Sequence, residues 1–280
     1  MAVFPMETAV MLTNRSQRWR EKRSRYVDDH TVIDTSRYAV DAVDPRAARD
    51  FIATHHYLPN FPAAIFSAGL FGEGPAGRSV LLGVAVFAVP STNAVITRHT
   101  GFADPAAGTT LARFLLLDEV PQNAESWMLA RAFRLLRAEK PHIEAVVSYS
   151  DPQAGHIGRI YQALSAAHRG ITRSRTIYRV GAVPVSGRTL SKIRLGERGA
   201  AGAIDQIVAL GAPRPLPTES AGTWLDRLHR ERILLRVPHP GLFTYVFELS
   251  RRARVRGRDL PRKAYPKMLT EPHPELGLFD

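Results

Sequence analysis

Apolar and polar positions follow two different periods along this chain. Residues 44–57 and 123–140 repeat their apolar positions about every 3.6 residues, which predicts two helices. Asp44 and Asn123 stand at the N-cap positions of these helices, and Pro45 occupies the first turn of the earlier one. Alternating or short apolar runs predict five strands, at residues 37–43, 63–71, 79–89, 110–120 and 143–150.

Two further strands are predicted at residues 173–183 and 243–250, so hairpin-linked strands and strand–helix–strand units both occur. This order predicts an α/β fold with a mixed central sheet flanked by helices. The same pattern divides the chain into four parts. They are a basic, disordered arm (1–30), the α/β core (31–183), a small helical insertion (184–242), and a final strand with a basic tail (243–280). The insertion is a candidate for DNA contact, and the alternative is a cover packed on the sheet.

The charge is strongly positive, because 38 Lys and Arg residues stand against 26 Asp and Glu residues, for a formal net charge of +12. Arginine dominates three basic clusters, at residues 15–25, 188–198 and 251–263. Its planar guanidinium is well suited to phosphate. The second and third clusters contain the candidate nucleic-acid contacts Arg188, Lys192, Arg194, Arg251, Arg252 and Arg254. A basic solvated surface with flexible tails is the alternative. The cluster inside the folded region favours nucleic acid.

Composition also argues against several classes of protein. Without cysteine, the chain forms neither a disulfide framework nor a thiolate metal site. No apolar run approaches the ~18 residues of a membrane span, and the first residues lack the pattern of a signal peptide. We therefore expect a cytoplasmic protein without a membrane partner, and the oligomeric state stays open.

The stretch SYSDPQAGHIGRIYQ, residues 148–162, has an unusual composition for a helix start. A β-like run ends at Asp151, and a predicted helix follows whose first turns contain Gly155, His156 and Gly158. Each interior glycine costs about 0.5–1 kcal/mol relative to alanine. Without a Cβ atom, these positions let a ligand or a neighbouring backbone approach closely. The two alternatives are the wall of an active-site pocket and tight packing of the helix on the sheet.

Two segments carry a resemblance to known families: LARFLLLDEVPQNAESW (111–127) and VVSYSDPQAGHIGRIYQA (146–163). The order of elements resembles that of GNAT acyltransferases, in which a donor-binding helix follows the fourth strand. The two segments are more specifically similar to the Mom family of phage-type DNA modification proteins, which are GNAT-like. This resemblance implies conversion of the N6 amine of adenine in duplex DNA into a carbamoylmethyl amine, which shields DNA from restriction nucleases. It also implies double-stranded DNA as the partner, acetyl-CoA or a related acyl donor, and iron.

Asp151 and Tyr161 match functional positions of the Mom family. By this resemblance Asp151 holds or deprotonates the adenine amine and Tyr161 acts as a general acid. His156, next to them in the sequence, is a candidate general base and is expected to take a supporting role. Each residue has a structural alternative. Asp151 is a good N-cap, the ring of Tyr161 suits a core, and His156 suits a helix surface.

Arg113 and Ser126 also match functional positions of the family, and together with Asn123 they are expected to bind the donor. GNAT enzymes usually cradle the donor pyrophosphate with a glycine-containing loop, whereas PQNAES (121–126) contains no glycine. The N–H groups of the helix N-terminus remain available for phosphate. The alternative for Ser126 is an ordinary first-turn residue. The alternative for Arg113 is a structural ion pair with Asp118, Glu119 or Glu125.

The implied iron has one candidate region, HHY at 55–57, with His56 as the candidate ligand. A lone histidine beside a tyrosine is more often structural than a ligand, and no carboxylate at ligand spacing accompanies it. A metal at His56 is therefore an expectation from the resemblance alone.

Adenine N6 is paired inside the duplex, so a chain with the implied activity must extrude the base, which predicts base flipping. Two other functions stay open. One is a plain GNAT acetyltransferase that acts on a small amine or a protein lysine. The other is a non-catalytic DNA-binding protein on a GNAT scaffold, which the missing glycine loop would suit.

Overall fold

The computed structural model of the protein describes residues 32–56, 60–74, 77–121, 123–154, 156–181 and 183–267. The chain divides into a larger unit, Met1–Ile171 with Leu242–Asp280, and a smaller unit, Thr172–Gly241. The predicted disordered arm, residues 1–30, lies outside the described residues, as do residues 268–280 of the predicted tail.

The described residues contain ten strands and eight α-helices. The strands are β1 (Tyr38–Ala42), β2 (Ala64–Glu73), β3 (Ser79–Ala88), β4 (Gly108–Leu116), β5 (Ala145–Ser150), β6 (Ala167–Ile171), β7 (Arg175–Val180), β8 (Val183–Val185), β9 (Leu234–His239) and β10 (Phe243–Glu248). The helices are α1 (Pro45–His55), α2 (Asn93–Thr100), α3 (Ala124–Glu139), α4 (Arg159–Ala163), α5 (Gly187–Arg194), α6 (Ala200–Ala209), α7 (Ala221–Arg230) and α8 (Arg251–Arg258). None of these helices is both long and apolar enough to cross a membrane.

The larger unit is built on a seven-stranded mixed sheet in the order β1-β2-β3-β4-β5-β10-β6. Side chains on β3 alternate between the two faces of the sheet. Ala85 and Phe87 therefore pack in one core cluster with the apolar face of α3, and Val84 and Val86 pack with Phe51 of α1 in another. Helices therefore cover both faces of the sheet. The predicted α/β class, a mixed sheet flanked by helices, is confirmed.

The last strand does not extend the edge of the sheet. Instead, β10 lies between β5 and β6 and pairs antiparallel with both, so that Tyr245 stands opposite Ser148 on one side and His168 on the other. The strand itself was predicted at residues 243–250, but its central position was not. The edge strand β6 and the helix α2 were missed, because AHRGI and NAVITRHT are short and carry weak periodic signals.

The two parallel strands β4 and β5 diverge near their carboxyl ends. Their pairing runs from Gly108 opposite Ala145 to Leu111 opposite Ser148 and then stops. β4 nevertheless continues to Leu116 in register with β3, and β5 continues to Ser150. The sheet therefore opens between these two strands, and the middle of β4 becomes partly exposed at this point. Open α/β sheets commonly bind ligands at such carboxyl ends.

The smaller unit is an α/β unit of its own, with a three-stranded sheet in the order β8-β7-β9. Its core contains Trp224 and Leu228 of α7 together with Ile193 and Ile207 of α5 and α6. The strand predicted at 173–183 belongs to this sheet and not to the large one, so the unit begins at Thr172 and not at 184.

Within the predicted helical insertion, the helical pattern of TWLDRLHRERILL, residues 223–235, extends beyond the end of α7. The helix ends at Arg230, Arg232 has a left-handed φ of 55°, and β9 begins at Leu234. The segment that was predicted as a helical insertion therefore contains strands as well, because tertiary pairing with β7 overrides the local helical pattern.

The predicted basic tail contains a capped helix. The Ser250 hydroxyl accepts a hydrogen bond from Ala253 N at 2.9 Å and donates one to Glu144 Oε2 at 2.7 Å, which fixes the start of α8. Local composition hid this helix, because five arginines leave it almost no apolar face.

Candidate active site at the carboxyl end of β5

Asp151 follows β5 directly, where the sheet opens. Its Oδ1 accepts a hydrogen bond from Gln153 N at 2.8 Å, and its carbonyl oxygen accepts one from His156 N at 2.9 Å. The carboxylate therefore caps a short 3₁₀ turn, Pro152–Ala154, as the structural alternative predicts. It does so while lying half-buried at the position where α/β sheets place chemistry.

The glycine-rich segment is not the first turn of a helix, so this part of the prediction is wrong. After the 3₁₀ turn the chain forms a loop, and α4 begins only at Arg159, with Gly158 as its N-cap at a φ of 72°. Gly155 lies outside the described residues. A Cβ atom on Gly158 would lie 2.5–2.9 Å from the ring and hydroxyl of Tyr245. At Gly158 the close approach is therefore tight packing against a side chain of the sheet.

Tyr245 of β10 holds this loop against the sheet. This residue was not identified from the sequence. It is fully buried on β10, and its hydroxyl donates to the carbonyl oxygen of Ile157 at 2.5 Å. Gln162 Nε2 donates to the same carbonyl at 2.8 Å and to the Tyr245 hydroxyl at 3.3 Å. The last strand thus holds the segment that carries Asp151 and His156. The alternation of FTYVFE, with three aromatic residues on one face, was the available signal.

Tyr161 on α4 packs its ring in the core, as its structural alternative predicts. Its ring packs 5.3 Å from the ring of Tyr245 and 5.7 Å from that of Phe247, within the main core cluster. Burial raises the pKa of the Tyr161 hydroxyl, and the nearby Ser148 hydroxyl acts in the opposite direction. A tyrosine with a raised pKa keeps its proton at neutral pH, which a general acid requires.

Arg113 lies on the stretch of β4 that has separated from β5. Its Nη1 donates to the Ala112 carbonyl at 2.7 Å, and its Nη2 donates to the backbone and side-chain oxygens of Asn60 at 2.9 and 2.8 Å. These bonds hold the guanidinium at the opening of the sheet and tie it to the segment before β2.

The start of α3 presents Asn123 and Ser126, the other predicted donor ligands. Asn123 has a left-handed φ of 66°, and in the described residues its side chain makes no capping hydrogen bond. Asn123 therefore stands at the predicted N-cap position, but its side chain does not cap the helix. The Ser126 hydroxyl donates to the Asn123 carbonyl at 3.1 Å, which is the ordinary first-turn role.

The described residues do not form a metal site at the predicted ligand His56. His56 is the C-cap of α1, and its backbone N–H donates to the Ile52 carbonyl. Across the described ranges no three His, Asp or Glu residues converge in a group that could hold a metal ion. The residues around His56 that the structure describes therefore do not fit iron, and Tyr57 lies outside them.

The predicted nucleic-acid contacts fall in both units. In the smaller unit Arg188, Lys192 and Arg194 lie on α5, where Arg188 is exposed and forms an ion pair with Glu197, with an Nη1–Oε1 distance of 3.0 Å. In the larger unit Arg251, Arg252 and Arg254 are exposed on α8.

Comparison with known proteins decides the family. The sequence model of the Mom protein family matches residues 37–206, more than half of the chain. The chain belongs to the Mom protein family. The predicted resemblance is confirmed, and the matched range contains all of the predicted catalytic and donor-binding residues. The Mom match ends within α6, so β9, β10 and α8 lie beyond it.

Two individual proteins are similar to this Mom family member. Methylcarbamoylase mom of Escherichia phage Mu is 28% identical over 157 residues, which cover 51% of this chain and 62% of the relative. The match thus spans less than two thirds of that relative's length. An acetyltransferase of the GNAT family from Streptococcus pneumoniae superposes with a TM-score of 0.32 and 11% identity, covering 52% of this chain and 90% of its own.

Replacing Gly158 by alanine is expected to lower the free energy of unfolding by about 2–4 kcal/mol. The substitution combines a strained left-handed residue with a clash against the Tyr245 ring. Gly77→Ala is the matched control, because Gly77 has a similar φ of 70° with no atom within 4 Å of its missing Cβ. Chemical denaturation followed by circular dichroism measures both. Equal losses would show that Tyr245 contributes nothing to the requirement for glycine at 158.

Proposed function

We propose that this chain is a DNA modification enzyme that converts the N6 amine of adenine into a carbamoylmethyl amine and so protects DNA from restriction nucleases. The observation that carries the proposal is the Mom family match, which includes Asp151 at the opening between β4 and β5. A relative that bears the name methylcarbamoylase supports the transferred group. The substrate places the enzyme in the cytoplasm of the cell that holds the DNA.

In the proposed mechanism the target adenine leaves the base stack and enters at the carboxyl end of β5. Asp151, held by its bond from Gln153 N, orients the N6 amine and accepts its proton. Tyr161 keeps its own proton at neutral pH and delivers it to the group that leaves the donor. A neutral exocyclic amine is a weak nucleophile, so positioning by the fixed loop contributes much of the rate.

The carbamoylmethyl product has an N6–CH2 bond, so N6 displaces a leaving group from the CH2 carbon of a donor that already carries the carboxamide. Direct transfer of the acetyl group of acetyl-CoA, with release of the CoA thiol, would form an N6 amide and belongs to the plain acetyltransferase alternative. In this proposal a CoA-type molecule carries the carbamoylmethyl unit. Arg113 would contact its phosphates from β4, and the N-terminus of α3, with Ser126 in its first turn, would supply N–H groups and a favourable dipole. His156 takes a supporting role, because its backbone N–H closes the turn that carries Asp151.

The test is mass spectrometry of nucleosides from plasmid DNA of cells that produce this protein. We expect a new deoxyadenosine derivative that is heavier by one carbamoylmethyl group. DNA from cells with the empty vector is the control. An unmodified plasmid, with the protein folded and abundant, would contradict the proposal. Acetylation of a small amine or of protein lysine would then identify a plain acetyltransferase, and binding without any transfer would identify a DNA-binding protein.

A further inference from the structure

Helix α8 contains more positive charge than a stable isolated helix would, because its arginines repel one another. It has five arginines in eight residues, RRARVRGR, and it lies outside the part of the chain that the family match covers. Its packed side consists of Ala253 and Gly257, both buried. A Cβ atom on Gly257 would overlap the Glu248 carboxylate, so the helix lies against the sheet as closely as glycine permits. Like charges one turn apart repel one another, which calls for compensation.

Two of the arginines are compensated within the protein. Arg252 Nη1 donates to Glu144 Oε1 at 2.9 Å, and its guanidinium carbon lies 5.1 Å from the centre of the Phe102 ring. Arg256 Nη1 donates to the Gly101 carbonyl at 3.3 Å, and its guanidinium carbon lies 5.7 Å from the same ring. These two side chains therefore help to hold α8 on the fold.

The other three arginines form an exposed stripe. Arg251, Arg254 and Arg258 are spaced three and four residues apart, so they share one side of the helix. Within the described ranges no ion pair or side-chain hydrogen bond engages any of them, although several acidic residues lie on the same unit. Val255, which is 51% exposed, lies among them. The stripe spans about 10 Å along the helix axis.

A further basic residue, on α2, lies near the candidate active site. β10 runs antiparallel to β5, so α8 starts near Ala145, about 20 Å from Asp151 along the strand. Arg98 stands on α2, which packs against both β5 and α8. It is exposed and close enough to Tyr149 that its charge lowers the pKa of that hydroxyl, against the larger raising effect of burial. The end of α2 in turn contacts α8, where Gly101 meets Arg256.

We propose that the Arg251–Arg254–Arg258 stripe binds the phosphate backbone of duplex DNA about six base pairs from the adenine held at Asp151. This inference rests on the proposed function, because it takes duplex DNA as the substrate. The stripe supplies affinity and register, and it takes no part in the chemical step. A duplex that extends about 20 Å beyond the target base reaches it, and a shorter duplex does not.

The test measures binding to a long and a truncated duplex by fluorescence anisotropy over a range of salt concentrations. The variant carries Arg251→Gln, Arg254→Gln and Arg258→Gln. The control carries Arg37→Gln, Arg46→Gln and Arg78→Gln, which remove three exposed arginines on the β1–β3 half of the sheet. Both lose the same net charge, and thermal unfolding verifies that both fold.

For the long duplex, we expect the stripe variant to reduce the slope of log K against log salt by about 2 to 3, since each phosphate contact contributes ~0.9. The control should keep the wild-type slope, and the truncated duplex should not distinguish the three proteins.

Equal slopes for the stripe variant and the control would overturn the inference, as would stronger binding of the wild type to vesicles of anionic phospholipid than to duplex DNA. Failure of the proposed function has a different result. If the wild type binds duplex DNA through the stripe but leaves adenine unmodified, the proposed chemistry fails and the binding inference stands.

Discussion

Asp151→Asn is expected to reduce DNA modification by at least about 100-fold while leaving the fold intact. General bases contribute about 10²- to 10⁴-fold, and asparagine cannot accept the proton of the adenine amine. Its side-chain oxygen can still accept the hydrogen bond from Gln153 N, so the 3₁₀ turn after β5 is retained. Quantitative mass spectrometry of plasmid nucleosides measures the loss, and anisotropy confirms that DNA affinity is kept.

The chain contains a close control for this substitution. Asp104 precedes Pro105 and caps the 3₁₀ turn Pro105–Ala107 through a bond from Ala106 N at 2.9 Å, the same local arrangement as at Asp151. Asp104→Asn should leave modification unchanged, because this turn lies before β4, away from the opening. Full activity of Asp151→Asn would assign Asp151 to capping alone and remove it from the mechanism.

Glu248→Gln is expected to destabilise the larger unit by about 3–5 kcal/mol. Arg169 Nη2 and Glu248 Oε1 are 3.0 Å apart, and their side chains are only 4% and 9% exposed. Burial lowers the pKa of Arg169, and the Glu248 carboxylate opposes that shift and keeps the guanidinium charged. Removing the carboxylate charge leaves an uncompensated cation in the interior, which is the costly way to break a buried pair.

Urea denaturation measures this loss, and hydrogen exchange locates it. Arg169 also donates to the carbonyls of His99, Leu260 and Gly257, so faster exchange should begin in α8 and in the residues that follow it. Asp205→Asn is the control, because the Asp205–Arg214 pair is 58% and 67% exposed and should contribute less than about 1 kcal/mol. A similar, small loss for both variants would show that the buried pair does not stabilise the fold.

The local signals in the sequence were reliable where the local environment decides the conformation. Asp44 caps α1 through bonds from Arg46 N and Ala47 N, with Pro45 at the first position, as the pattern predicts. The strands β2 and β3 and the helix α3 also lie where their periods place them. These elements are long, so their apolar positions repeat over several turns or pleats. Such a repeat identifies the element without knowledge of the segments that pack against it.

The candidate site residues Asp151, Tyr161 and Arg113 come from the segments that resemble the Mom family, and their roles stay predictions. The hydrogen bonds that fix these residues were not predicted. Tyr245 comes from a strand 94 positions after Asp151 in the numbering, and nothing within SYSDPQAGHIGRIYQ indicates its presence. For the same reason Gly158 was attributed to the first turns of a helix, because the ring that requires it comes from elsewhere in the chain.

By itself, the sequence determined the class of fold, the identity of most elements in the first 150 residues and the family to which the chain belongs. Only the tertiary structure decided that β10 inserts beside β5, that β4 and β5 separate after Leu111 and Ser148, and that residues 172–241 form a unit with its own sheet. Strand order and register depend on pairings between distant segments, and a short strand carries too few residues to specify its partner. The opening of the sheet and the arginine stripe of α8 both depend on such pairings.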